Sequence, residues 1–210
     1  MTQPTIDDVT FTAMLQAIGA SPWRTRGFVL HSALSFAKDH VKGGVAAVRS
    51  TLPEPIRAYW QQRFRSLDWY DAWAPALFHR AIAELRGIGF QQQARECGEY
   101  ACQRDLSSGP HAMLVKLMKP RQMAAYVPRV GQYFLDCFSR VESTRVTDTR
   151  FVTLASDAPV LPGLFILELA MAYNAQTVRL VGGKSVSYEI EEMTLLADGR
   201  MNVRYAIAWS

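Results

Sequence analysis

The chain is poor in the side chains that build metal centres and redox sites. Three cysteines and four histidines are spread over 210 residues, and none of them is grouped at metal-ligand spacing. An odd cysteine count without a secretory leader argues against a disulfide framework and for a reducing cytoplasm. His31, His40, His79 and His111 include no i, i+4 pair with a glutamate between, and no serine stands in a G-x-S-x-G elbow. No catalytic set is recognisable, so a non-enzymatic role is expected. Polybasic runs are also missing. The net charge of +4 is dispersed along the chain, and nucleic acid is not an expected partner. Long apolar runs are absent too. The greasiest stretch, "VLPGLFILELAMAY" at 160–173, carries Glu168 in its middle and falls short of the roughly 20 residues that cross a bilayer. There is no internal repeat and no low-complexity linker.

What is present is the composition of a folded globular protein, 49% hydrophobic and 20% charged. The length suits one core and is short for two. We therefore expect a polar N-terminal arm at 1–26 followed by one α+β domain at 27–210, helical over 27–140 and sheet-forming over 141–210. Helices are expected at about Leu30 to His40, Val45 to Leu52 and Pro55 to Phe64. Leu77, Phe78, Ala81, Ile82 and Leu85 form the next apolar stripe, with His79, Arg80, Glu84 and Arg86 opposite and Gly87 as terminator. Phe90, Ala94, Cys97 and Ala101 form another, antiparallel to it across a short link. Pro110 opens a short helix with Met113, Leu114 and Leu117. Pro120 opens one on which Met123, Val127, Val130, Phe134 and Cys137 share a face, and Pro128 is expected to kink or break it.

After about Arg140 the period changes to two. Val141 to Val146 and Arg150 to Ala155 make a first hairpin. Val186, Tyr188 and Ile190, then Met201, Val203, Tyr205, Ile207 and Trp209, make a second around Asp198 and Gly199. Pro162 to Ala175 lies between the hairpins. A crossover helix there covers the sheet on one side and meets the helical layer on the other, which accounts for its hydropathy without a membrane.

Individual motifs carry little chemistry. "VGGKS" at 181–185 ends like a phosphate-binding loop, but Val178 stands where the first glycine is required and a strand follows instead of a helix. Gly182 and Gly183 read as a bulge or turn. Cys97 and Cys102 point about 140° apart on one helix and cannot share a metal, and Cys97 reads as a buried thiol. "LDWYDAWAP" at 67–75 offers Trp69, Tyr70 and Trp73 either as a pocket or interface wall or as a helix start pinned into the core by Trp69, with Asp68 or Asp71 as cap. Glu168 either meets an arginine such as Arg179 or anchors an otherwise apolar cavity.

The order of elements, with "AYVPRV", "TDTRFVTLASDAPVLPGLF" and the terminal "RYAIAW", resembles a superfamily in which helices precede a strand-strand-helix-strand-strand unit. It includes haem nitric-oxide-binding domains, the 4-vinyl reductase ligand-sensing domain and small TRAPP trafficking subunits. The likeness runs from about Phe28 to Trp209 and is strongest to a bacterial family of about this length related to the haem-binding group. The departures are informative. Haem relatives ligate iron through a histidine on the helix before the sheet, and Pro120 to Phe138 contains none. They hold propionates with Tyr-x-Ser-x-Arg, where this chain reads Val152, Thr153, Leu154, Ala155, Ser156. Phenol-sensing relatives hold zinc with cysteines near the last hairpin, and no cysteine follows Cys137.

The resemblance implies a cytoplasmic ligand-binding or sensory module without haem, metal or other cofactor. Its cavity would take an apolar small molecule or lipid tail and be lined by Trp69, Trp73, Phe134, Phe138, Phe165 and Glu168. It also implies a homodimer or a protein partner. The alternatives are an adaptor whose cavity is filled by side chains, and an enzyme with a composite site.

Overall fold

The computed structural model describes residues 23–106, 110–136, 138–197 and 199–210. Most of the expected arm therefore lies outside the described residues, as do Cys137 and Asp198.

Three residues assigned to the arm belong to the fold. Strand β1 (Arg24–Arg26) is the middle of a small antiparallel sheet, between β2 (Trp69–Asp71) and β3 (Leu135–Asp136). Thr25 is fully buried there, because Tyr70 and Leu135 pair with it from either side.

Helix α1 (Gly27–His40) buries Leu30, Ala33, Phe36 and Ala37, a stripe at helical spacing. Helices α2 (Gly44–Thr51) and α3 (Glu54–Tyr59) follow. The Asp71 carboxylate accepts the Trp73 backbone N–H at 2.9 Å, and this starts α4 (Trp73–Arg86) as an N-terminal cap does. Gly87, at φ 66°, ends it in the left-handed conformation that glycine adopts without strain. The α4 stripe departs from the expected one at two positions: His79 is buried and Leu85 is 43% exposed. The helix is covered by α1, α2 and two later helices, α5 (Phe90–Leu106) and α8 (Val160–Leu180), so only Arg80 reaches water in its middle, and it emerges near its end.

Helix α5 (Phe90–Leu106) packs along α8. Gly98 makes this possible. A Cβ there would overlap the Leu169 carbonyl oxygen and lie 3.0 Å from the Ala172 methyl. Cys97 and Cys102 are both buried although they point to different sides, Cys97 against His79 of α4 and Cys102 against Thr177 of α8. Helix α6 (Pro110–Leu117) is short. Helix α7 (Met123–Phe134) continues through Pro128 instead of breaking. The missing hydrogen bond is outweighed by burial of Met123, Ala124 and Val127 on its inner face.

The main sheet has the order β4-β5-β7-β6, with β4 (Arg140–Thr147), β5 (Arg150–Pro159), β6 (Ser187–Leu195) and β7 (Arg200–Ala208). All pairings are antiparallel, and Val152 opposite Ala206 joins the two hairpins at the centre. Between them α8 (Val160–Leu180) runs for 21 residues, longer at both ends than expected. Its first N–H is taken by the Gly199 carbonyl at 3.2 Å, and Thr177 and Val178 extend the buried length past Ala175. It lies between the sheet and helices α4 and α5. No described helix is long and apolar enough to cross a membrane.

Candidate functional site

A cavity of about 100 Å³ lies where both layers meet α8. Its walls come from Phe28, Val29 and Ser32 of α1, Ala101 and Asp105 of α5, and Val127, Val130, Gly131 and Phe134 of α7. Leu135, Phe138, Val141, Ala155 and Tyr205 on the sheet side and Phe165, Leu169, Ala170, Tyr173 and Asn174 of α8 lie among the rest of its walls. The cause of the space is visible in the residue types. Ala101, Gly131, Ala155 and Ala170 bring short side chains to it from four different elements, and packing that would otherwise close there stays open.

Of the expected lining residues, the structure brings together Phe134, Phe138 and Phe165. It places Trp69, Trp73 and Glu168 outside this cavity. Trp69 stands 39% exposed on β2, with the Arg26 guanidinium 3.7 Å above its ring. Trp69 and Asp71 share one face of the strand, and exposure falls along it from Trp69 to the buried Asp71. Trp73 is buried in the helical core against Trp23, ring centroids 6.0 Å apart. Glu168 turns to the other side of α8, where its carboxylate accepts Arg95 Nε at 2.8 Å and Nη2 at 3.3 Å. The partner is Arg95, not Arg179, because Arg179 is engaged by Glu99 at 3.0 Å. The Glu168 side chain is 4% exposed and that of Arg95 47%, so the charge leaves the core through the longer side chain.

The polar groups of the cavity come from residues that sequence pattern did not single out. Ser32 donates to the Phe28 carbonyl at 3.0 Å and accepts Arg104 Nη2 at 2.7 Å. Asp105 accepts the same guanidinium nitrogen at 2.9 Å. Asn174 donates to the Tyr205 hydroxyl at 3.3 Å. Burial, reinforced by nearby Cys102, Asp105 and Tyr126, holds the Tyr173 phenol far above the ordinary tyrosine range, and burial raises Tyr205 as well. The one available signal was the placement of Tyr173, Asn174 and Thr177 in an otherwise apolar helix.

Behind Phe165 is a second polar group that spacing alone concealed. His79 stacks on Phe165 at 5.0 Å, with Nδ1 3.2 Å from Gln93 Nε2 and Nε2 3.2 Å from Cys97 Sγ. The two residues are on α4 and α5, so only the helix pairing brings them together. Burial drives the imidazole down to about 3 and the thiol well above its usual range. Both are neutral at pH 7, which makes this a packed hydrogen bond and not an activated nucleophile. Among the described residues, no group of three or more His, Cys, Asp or Glu is gathered to hold a metal.

The described residues of the cavity do not fit haem. No lining residue is a histidine, cysteine, lysine or arginine, so neither the usual iron ligands nor a cation for propionates is present. The phenols that line it are held protonated. The volume of about 100 Å³ is also well below the roughly 300 Å³ at which pockets for larger ligands begin.

The architecture defines a class. The chain has the α+β fold of the H-NOX domains, to which the sequence likeness to haem nitric-oxide-binding domains had pointed. The Cs H-NOX domain carrying 4-cyano-L-phenylalanine matches it with a TM-score of 0.61 and 13% identity, over 88% of this chain and 96% of that one. An oxygen-binding H-NOX domain related to soluble guanylate cyclases matches with a TM-score of 0.59 and 13% identity, over 88% and 95%. A point variant of the T. tengcongensis H-NOX domain gives 0.54 and 13%, over 87% and 93%. At this identity the likeness establishes the fold. No protein-family model matches the chain, and no curated protein matches it significantly.

Proposed function

We propose that the protein is a non-enzymatic ligand-binding or sensory module that holds an apolar small molecule between its helical layer and its sheet, without haem. The observation that carries this reading is the cavity, which sits inside the fold with walls mostly of phenylalanine, aliphatic and small side chains. Its volume of about 100 Å³ favours a compact molecule over a lipid tail. Oxygen binding by an H-NOX neighbour supports a sensory role for this architecture, and the chemistry of the present walls supports a different ligand. Two free, buried cysteines, Cys97 and Cys102, suit a reducing cytoplasm.

A second reading, an adaptor with a filled cavity, draws on the exposed Leu67, Trp69 and Tyr133 gathered around Arg26. Native mass spectrometry of protein purified from cells separates the two. A reproducible small added mass per chain is expected. Repeated apo spectra with a co-purifying protein refute the ligand reading in favour of the adaptor, and a Soret band refutes the exclusion of haem. The same spectra report whether the chain is a homodimer.

A further inference from the structure

Resting on the cavity reading above, we infer that the cavity selects a compact neutral molecule bearing one hydrogen-bond acceptor, and that the Tyr173 hydroxyl donates to it. The argument is an inventory of polar side chains on the walls. Ser32 bonds the Phe28 carbonyl and Arg104, Asp105 bonds Arg104, and Asn174 gives one amide N–H to Tyr205. Tyr205 in turn bonds Thr153. The Tyr173 hydroxyl makes no hydrogen bond to any described residue. Tyr173 is half-buried, and a ligand that fills the cavity takes its hydroxyl out of water, so an acceptor on that ligand is needed to supply the bond.

Charge narrows the class. Among the described residues no cation lines the cavity, and Asp105 is the one charged side chain on its walls. Arg104, its counter-ion, is already shared with Ser32 Oγ and with the His31 carbonyl at 3.2 Å. A carboxylate ligand meets a repelling charge and no compensating cation among the described lining residues. Because burial keeps the phenol protonated, it remains a donor throughout neutral pH. Size narrows the class further. A cavity of about 100 Å³ is smaller than the roughly 150 Å³ that holds benzene, so the occupant is no larger than about one six-membered ring, with some yielding of the half-buried Phe28 and Phe134.

Three probes of similar shape test this by NMR titration of the whole chain: methylcyclohexane, cyclohexanone and cyclohexanecarboxylate. Wild type is expected to bind cyclohexanone about tenfold more tightly than methylcyclohexane, the worth of one hydrogen bond, and to ignore the carboxylate. In Tyr173→Phe the two neutral probes are expected to bind equally, with a thermal midpoint no lower than wild type. If methylcyclohexane binds but wild type shows no ketone preference, or the preference survives in Tyr173→Phe, the anchor is refuted and the cavity reading stands. A drop of several degrees in the free variant means that the hydroxyl is already bonded, which also refutes the anchor. If none of the probes shifts the amides of Phe134, Phe165 and Ala170, both readings fall.

Discussion

Gly131→Ala is a substitution for which stability and ligand binding are expected to move in opposite directions. Gly131 lies on α7 and lines the cavity. An added Cβ would meet only Val141 Cγ1, at 3.9 Å, an ordinary contact distance. Replacing glycine by alanine inside a helix stabilises by about 0.5–1 kcal/mol, chiefly by restricting the unfolded chain. The methyl group also fills space that is now empty, for at most about 0.8 kcal/mol. The sum is about 1 to 1.5 kcal/mol, or about 2–6 °C in thermal midpoint for a chain of this size. The same methyl takes volume from a cavity of only about 100 Å³, so affinity for any occupant should fall. Calorimetric melting and NMR titration with cyclohexanone measure the two effects on one sample. A destabilised variant refutes the claim that there is space beside Gly131, and a stabilised variant with unchanged affinity refutes the claim that the ligand occupies it.

Three other perturbations test the frame around the cavity. His79 has a folded pKa of about 3 against 6.5 in its ordinary state, so the unfolded chain takes up the proton first. The stability this provides is complete above about pH 7 and is lost as pH falls from 6.5 toward 3, by about 2–3 kcal/mol at pH 4.5. The advantage of wild type over His79→Gln in urea unfolding should shrink by that amount between pH 7.5 and 4.5, and an unchanged gap refutes the neutral buried imidazole. Arg95→Ala strands the Glu168 carboxylate and should cost about 2–3 kcal/mol, below the range for fully buried pairs because Arg95 is half in water. Adding Glu168→Met should restore most of the loss in a double-mutant cycle. Gly98→Ala forces a Cβ into the Leu169 backbone and should lower stability by about 3 kcal/mol. A melting point equal to wild type would show that α5 and α8 are not in such close contact.

Local pattern was sufficient where one face of an element meets water. The β7 residues Met201, Val203, Tyr205 and Ile207 alternate and are all buried, and the signal around Gly199 marks the turn between β6 and β7. Pattern was misleading where an element is enclosed. On α4 the sequence places His79 on the polar face, and packing against four helices buries it beside Cys97. On β2 an aromatic cluster reads as a wall, but Trp69 stands at the exposed end of the strand and Trp73, on the following helix, enters the core.

By itself, then, the sequence determined the succession of the helices and of the four strands of the main sheet, the burial of most of Phe165 to Ala175, and the lack of a histidine on the helix before the sheet. These depend on hydrophobic period, turn chemistry and residue identity, which are local properties. Only the tertiary structure decided which phenylalanines share a cavity, that Glu168 turns to Arg95, and that Ser32, Asp105, Tyr173, Asn174 and Tyr205, and not Glu168, bring polar groups to the cavity. Those outcomes depend on the rotation of α8 between two layers and on small residues from four separate elements meeting at one point. Distances between residues tens of positions apart follow from how helices and sheet pack, and no local pattern encodes them.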